Sequence, residues 1–359
     1  VLPCSCSSCG PRGPVRGQGY HLSGCPNIGD RLSSNWINVL NAILWEHNER
    51  HATLVKNVSF KTMKERKEFY FRFFRELRGI GYRLDPRSLG TRHIQAAVNL
   101  WLSRDLSAGT MLNYLSYLRA LGNWIRKPGL VRSPAFYVPD AQRIRRSTVA
   151  ISDKSWTGAD VNAEELIAAI SAYAPYVGVQ LEVCMAFGLR VREAVMLQPH
   201  LAVVAATQTN LPNPEAEFYL HISRGSKGKR VRFIPIDSDR KRAALARAQA
   251  WVKGQESHLG DPAYPNLQRN KERFYRVMTR FGVTCKGLGI TAHGLRHEYA
   301  NDRYKLFSGT VGPLRGGTAV DPLVDAEARL RVAQELGHAR KQISIAYLGS
   351  PVKNQKLAE

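Results

Sequence analysis

The residues with the most chemistry in them gather toward the C-terminal end of the chain. From Thr291 to Tyr347 it reads TAHGLRHEYAND, then a long interruption, then QELGHARKQISIAYLG. His293 and Arg296 stand three positions apart, His338 follows a Leu-Gly pair, and Tyr347 comes nine positions after that histidine. Residues three apart share one face of a helix, so His293 and Arg296 could reach the same anion. A tyrosine hydroxyl stays protonated near neutral pH and attacks only where cationic neighbours stabilise charge on the electrophile. A phosphodiester is such an electrophile.

The bulk properties agree with a polyanionic partner. The 359 residues carry 52 Lys and Arg against 29 Asp and Glu, a formal net charge of +23. A balance this basic favours nucleic acid, although a basic surface with no partner is the plainer alternative. No apolar run approaches the ~20 residues of a membrane span. Nothing resembles a signal peptide, so the chain is expected in the cell interior with no membrane partner. Cys4, Cys6, Cys9 and Cys25 all fall in the first 25 residues. They could offer thiolates to zinc, but their irregular spacing among Gly, Pro and Ser favours a disordered leader over residues 1–30.

The elements that must position these residues follow from periodicity. Residues 31–127 give four amphipathic helices. The first carries Trp36, Leu40, Ile43 and Leu44. The second has Thr62 and Glu65 as a capping box, with Phe60, Met63, Tyr70, Phe74 and Leu77 on its apolar side and Arg66 among its charged residues. The third carries Ile94, Ala97, Val98 and Trp101, and the fourth Met111, Leu115, Leu118 and Leu121. Four such helices make an all-α bundle. Periodicity then lapses over 128–160, read as a basic interdomain linker whose Arg143, Arg145 and Arg146 could pair with phosphates or simply be solvated.

The remainder, 161–359, opens with helices from Asn162 to Tyr173 and through Val183 to Phe187, breaking at Gly188. Arg190 sits at the break, with Glu193 placed to hold it. A hairpin follows, with Phe218, Leu220 and Ile222 alternating on one strand and Val231, Phe233 and Ile236 on the return. Its turn, RGSKGKR, presents Lys227 with Lys229 and Arg230 close behind. A tip lysine is ordinarily solvated; beside a DNA backbone it could hand a proton to a leaving oxygen. The glycine-bearing interruption, 305–325, reads as a surface loop.

With GLRVRE, SKGKRVRFIPI, AHGLRHEYA and ELGHARKQISIAY in this order, the second half resembles the catalytic domain of the tyrosine recombinase (phage integrase) family. LSAGTMLNYLSYLRALGNWI is similar to the last helix of that family's N-terminal DNA-binding domain. The expected fold is mainly α with a small antiparallel β-sheet, an all-α DNA-binding bundle followed by an α+β catalytic domain. The resemblance implies that Arg190 and Arg296 bind the scissile phosphate, His293 and His338 complete the pocket, Lys227 is the general acid, and Tyr347 is the nucleophile forming a 3′-phosphotyrosyl link. Neither metal nor other cofactor is then expected, since two forked guanidiniums match the developing charge. It also implies double-stranded DNA attachment sites, a homotetramer on synapsed DNA, accessory DNA-bending proteins, integration or excision of a mobile element, and a bacterial cytoplasmic setting.

Two other readings use the same residues. A type IB topoisomerase shares the tyrosine, arginines and lysine, but the helical N-terminal domain and the LGH motif count against it. A non-catalytic DNA-binding accessory protein predicts at least one lost catalytic residue, and none is lost. The interruption between Arg296 and His338 is longer than is usual in the family, and the tail after Tyr347 is short.

Overall fold

In a computed structural model, the described residues are 35–51, 57–146, 148–226, 228, 230–338 and 341–351. The leader with its cysteine cluster lies outside them, as do Lys227 and Lys229. The chain divides into two compact units, Val1–Arg146 and Ser147–Glu359.

The first unit is helical: α1 (Trp36–His47), α2 (Phe60–Gly79), α3 (Thr91–Ser103) and α4 (Ala108–Trp124). Its core gathers Leu40, Tyr70, Phe73, Leu77, Ile94, Trp101, Leu115 and Leu118. Two details of α2 differ from expectation. Ser59, not Thr62, caps the helix, its Oγ accepting from the Thr62 amide at 3.2 Å, so the helix begins one turn early and leaves Phe60 82% exposed. Arg66, expected among the solvated charges, is buried because its Nη1 donates to the Arg50 carbonyl at 3.0 Å and its guanidinium lies over Trp124. Tyr137 and Val138, in the stretch read as linker, are buried in this same core.

The second unit is built around α6 (Pro175–Phe187), which packs against α5 (Ala163–Tyr173), α8 (Asp239–Trp251) and α10 (Gly294–Ser308). Helix α6 is apolar nearly all round, the composition of a helix enclosed on every side. It stops at Gly188, whose left-handed φ of 60° lets the chain turn into the short α7 (Val191–Val195). A side chain there would also press on Tyr299, 2.5 Å from an added Cβ. Helices α9 (Leu267–Arg280), α11 (Pro322–Glu335) and α12 (Ile345–Leu348) complete the helical set. Among the described residues no helix is long and apolar enough to cross a membrane.

The sheet is antiparallel, in the order β1 (Val203–Ala205), β2 (Phe218–Ile222), β3 (Arg232–Pro235). On the returning strand the apolar Val231 and Phe233 do not take the inward face. Arg232 and Ile234 point inward, while Val231 is 55% exposed and Phe233 is half-buried. A period of two makes a one-residue shift exchange the two faces, and Arg232 takes the inward place because a buried carboxylate awaits it.

Trp156 is fully enclosed, and its indole Nε1 donates to the Thr291 carbonyl at 2.8 Å, tying the start of this unit to the turn before His293. Trp156→Ala is expected to cost about 3–5 kcal/mol, measured by urea denaturation followed by circular dichroism; a loss below about 1 kcal/mol would contradict this packing.

Candidate active site

The site forms where α7, α10, β3 and the segment after α11 meet. Arg296, on the first turn of α10, is completely buried. Its Nη1 donates to the Gly188 carbonyl and its Nη2 to the Leu336 carbonyl, so helix-end backbone at two places fixes the fork. The same guanidinium reaches Tyr347 Oη from Nε at 3.2 Å and lies 3.4 Å from His338 Nε2. His338 Nε2 is itself 3.3 Å from Tyr347 Oη. Phenol, guanidinium and imidazole therefore converge on one point, with Tyr347 only 5% exposed.

Arg190 caps α7 and donates to Glu193 Oε1 at 2.7 Å, while its backbone N–H donates to Oε2 at 2.8 Å. Glu193 is held from the other side by Arg232, whose Nη1 and Nη2 donate to the two carboxylate oxygens at 3.1 and 2.7 Å. Arg232 Nε also donates to the Glu335 carbonyl at 2.8 Å. Burial alone would raise the Glu193 carboxyl, but hydrogen bonds and charge from Arg232, then charge from Arg190, hold it at about 2. One carboxylate thus sets the position of two arginines. Glu335 makes a parallel anchor, binding Arg303 of α10 at 2.6 and 2.8 Å.

The histidines respond first to burial and then to the charges around them. Desolvation, then the charges of Arg296 and Arg190, lower His338 to about 4. Desolvation, then charge from His293 and Lys154, lower His297 to about 4. Desolvation, then the charges of Arg296 and Arg190, lower His293 as well, although part of its side chain remains exposed at the surface. Desolvation lowers Arg296 to about 10, so it stays charged at neutral pH.

Five of the six residues singled out for catalysis are described. Arg296, His338 and Tyr347 are in mutual contact; Arg190 joins them electrostatically and through the Glu193–Arg232 bridge; His293 sits at the start of α10 with its ring 6.0 Å from that of Tyr347. Lys227 lies outside the described residues. Of the arginines suggested for DNA, Arg143 pairs with Asp105 at 2.9 Å, and Arg145 and Arg146 are exposed. Arg230 is exposed on a groove of about 730 Å³ that His338 also lines. Two neighbours carried no signal of their own in the sequence. His297, adjacent to Arg296, is buried with its ring 4.8 Å from that of Tyr347 and Nδ1 without a partner. Arg232 was hidden in a basic run. Among the described residues no group of three or more His, Cys, Asp or Glu side chains is placed to hold a metal ion.

Comparison with known proteins agrees with this architecture. A family profile described as "Phage integrase, N-terminal" matches residues 50–129, and one described as "Integrase" matches 145–302. The chain belongs to the phage integrase, or tyrosine recombinase, family of site-specific recombinases. The second match takes in Arg190, Lys227, His293 and Arg296 and ends before His338 and Tyr347. No curated protein sequence matches the chain. Among solved structures, a lambda integrase dimer bound to a COC′ core site aligns with a TM-score of 0.55 at 14% identity, covering 94% of this chain and 85% of that one. The Tn1549 transposon integrase with circular intermediate DNA aligns with a TM-score of 0.51 at 15% identity, covering 88% and 96%. At these identities what is shared is the fold.

Two outcomes are expected. Glu193→Gln removes the charge between two guanidiniums and should cost about 3–5 kcal/mol; denaturant midpoints matching wild type would show that Glu193 does not organise the site. The second concerns pH. His297 and His338 titrate near 4 when folded, against an ordinary 6.5, so the unfolded chain binds more protons between these values. Their contribution to stability is complete above about 6.5 and is lost as pH falls through about 4. The melting temperature should drop over that window, and His297→Gln should flatten the drop.

Proposed function

We propose that the protein is a site-specific DNA recombinase that breaks and rejoins DNA through a 3′-phosphotyrosyl intermediate, integrating or excising a mobile element. The observation that carries this reading, in a member of the integrase family, is the convergence of Tyr347 Oη, the Arg296 guanidinium and His338 Nε2: Arg296 Nε is 3.2 Å from Tyr347 Oη, Arg296 Nη2 is 3.4 Å from His338 Nε2, and His338 Nε2 is 3.3 Å from Tyr347 Oη.

Tyr347 Oη attacks the scissile phosphorus, the P–O5′ bond breaks, and the departing oxygen takes a proton. Neutral His338 has a free lone pair at neutral pH and accepts the phenol proton. Arg190 and Arg296 hold the non-bridging oxygens, where phosphoryl transfer accumulates charge; guanidiniums suit that place because they are planar forks that stay ionised. His293 donates to the same oxygens from the mouth of the pocket. Lys227 protonates the 5′ oxygen. In the free protein Arg296 is covered by Tyr347, so an entering phosphate takes over part of the phenol's contact. The covalent link conserves the phosphodiester energy, so resealing by the freed 5′ hydroxyl needs no cofactor.

In this reading residues 31–127 bind DNA, 128–160 link the domains, and 161–359 carry the chemistry, with Arg143, Arg145, Arg146, Lys229 and Arg230 meeting the DNA backbone. The partner is double-stranded DNA bearing attachment sites, handled by a tetramer. Solved relatives support this: lambda integrase is bound as a dimer to a core site and as a tetramer to a Holliday junction. The protein acts inside the cell that holds the DNA, with DNA-bending partners as accessories.

The test is a nicked duplex carrying the attachment site, incubated without divalent metal and resolved on denaturing gels. Wild type should form a covalent protein–DNA adduct and Tyr347→Phe none; equal adduct from both would sink the reading. On the same duplex Lys227→Ala should slow cleavage by on the order of 10²-fold or more, and far less when sulfur replaces the 5′ bridging oxygen, since a thiolate leaves without a general acid. Equal losses on both substrates would remove Lys227 from that role.

A further inference from the structure

The insertion between Arg296 and His338 takes no part in the chemistry above, yet its middle is firmly built. Arg315, on the 3₁₀ turn Pro313–Arg315, donates from Nε to Asp153 Oδ2 at 2.9 Å. From Nη2 it donates to Ser155 Oγ at 3.0 Å, Thr157 Oγ1 at 3.1 Å and Glu298 Oε1 at 2.7 Å. Thr157 closes the circuit, donating to Glu298 from its hydroxyl at 2.6 Å and from its backbone N–H at 3.1 Å. One guanidinium thereby joins the insertion, residues 153–157 and α10, at a point two residues beyond Arg296.

The same turn rests on the helix that bears Tyr347. A Cβ at Gly349 would lie 2.9 Å from Leu314 Cγ, and one at Gly312 would lie 3.5 Å from Leu348 Cδ2 and 3.0 Å from Asn301 Oδ1. Gly349 also has a φ of 75°, which favours glycine where the chain leaves the helix. Two further contacts grip α12 from other directions: the Ala150 N–H donates to the Ile345 carbonyl at 3.1 Å, and Arg329 Nη1 donates to the Gly349 carbonyl at 3.0 Å. Four residues make a helix far too short to hold itself together, so the place of the phenol is set by what surrounds it.

We infer that Arg315 is a positioning residue for Tyr347: by clamping the insertion to residues 153–157 and Glu298, it seats Pro313–Arg315 against α12 and fixes the phenol beside Arg296 and His338. This rests on the reading of Tyr347 as the nucleophile. Arg315 does not touch the reacting atoms. A clamp of this kind acts on the alignment of the attacking oxygen and not on DNA affinity, and a misplacement of about 1 Å can cost on the order of 10²-fold in rate.

The variants are Arg315→Ala and Arg315→Lys. In single-turnover cleavage of the nicked duplex, Arg315→Ala should form adduct on the order of 10²-fold more slowly, with its dissociation constant for DNA within about twofold of wild type. Arg315→Lys, which keeps the charge but lacks the fork, should fall between them. Amide hydrogen exchange without DNA supplies a readout independent of catalysis: in Arg315→Ala, peptides covering 345–351 should lose protection while those from α5 and α6 keep theirs. Unchanged cleavage, unchanged exchange at 345–351, or protection lost across the whole second unit would each overturn the proposal. If wild type itself forms no adduct, the recombinase reading fails, while the exchange comparison still decides whether Arg315 seats α12.

Discussion

A pocket for a phosphodiester has to gather positive charge before any phosphate is present, in a place where water has been largely removed. Arg190, Arg232 and Arg296 share this pocket region with Glu193 as the carboxylate that answers two of them. Like charges at close range in low dielectric repel strongly, so each guanidinium needs a fixed partner. The fold provides partners of two kinds. Arg296 is answered by helix-end carbonyls, those of Gly188 and Leu336, which carry partial negative charge because no helical N–H takes them up. Arg190 and Arg232 are answered by one buried carboxylate. Desolvation, helped by the nearby cations, then drives the histidine pKa values down, which leaves His338 neutral at neutral pH.

This arrangement explains why the site draws on segments far apart in the chain. The carbonyl of Gly188 is exposed for Arg296 only because α6 ends there in a left-handed residue, and the carbonyl of Leu336 only because α11 ends just before Gly337. Arg232 stitches the hairpin to both, since it binds Glu193 beside Arg190 and the Glu335 carbonyl two residues before Gly337. A lysine in its place could not span these acceptors, because one ammonium lacks the planar fork. Shifting any one of these helix ends would therefore displace an arginine of this site.

Much of this was legible in the sequence for physical reasons. Arg190 with Glu193, and His293 with Arg296, lie three apart, and helical spacing turns sequence distance into spatial distance. The four-helix set and the break at Gly188 follow from the apolar period and from glycine's tolerance of positive φ. The rest depended on contacts that periodicity does not encode. Arg232 looked like one more charge in a basic run, set between the apolar Val231 and Phe233 of the returning strand; only the distant Glu193 makes the inward arginine favourable. Phe60 looked apolar and therefore buried, but the Ser59 cap started the helix early and left it outside. His297 stood in full view in AHGLRHEYA and was passed over because its relation to Tyr347 arises from the folding of α12 against α10.

The insertion shows what composition leaves out. Its glycines pointed to a surface loop, and two of them, Gly312 and Gly317, stand where a Cβ would strike neighbouring atoms at 3.0 and 1.8 Å. Glycine there reflects close packing as much as freedom. Composition reports how easily a backbone bends and says nothing of what it bends against. A four-residue helix such as the one carrying Tyr347 is too short to hold its own place and needs support from outside itself. An insertion upstream, anchored through Arg315 to the helix that carries Arg296, is a physically economical place to find that support.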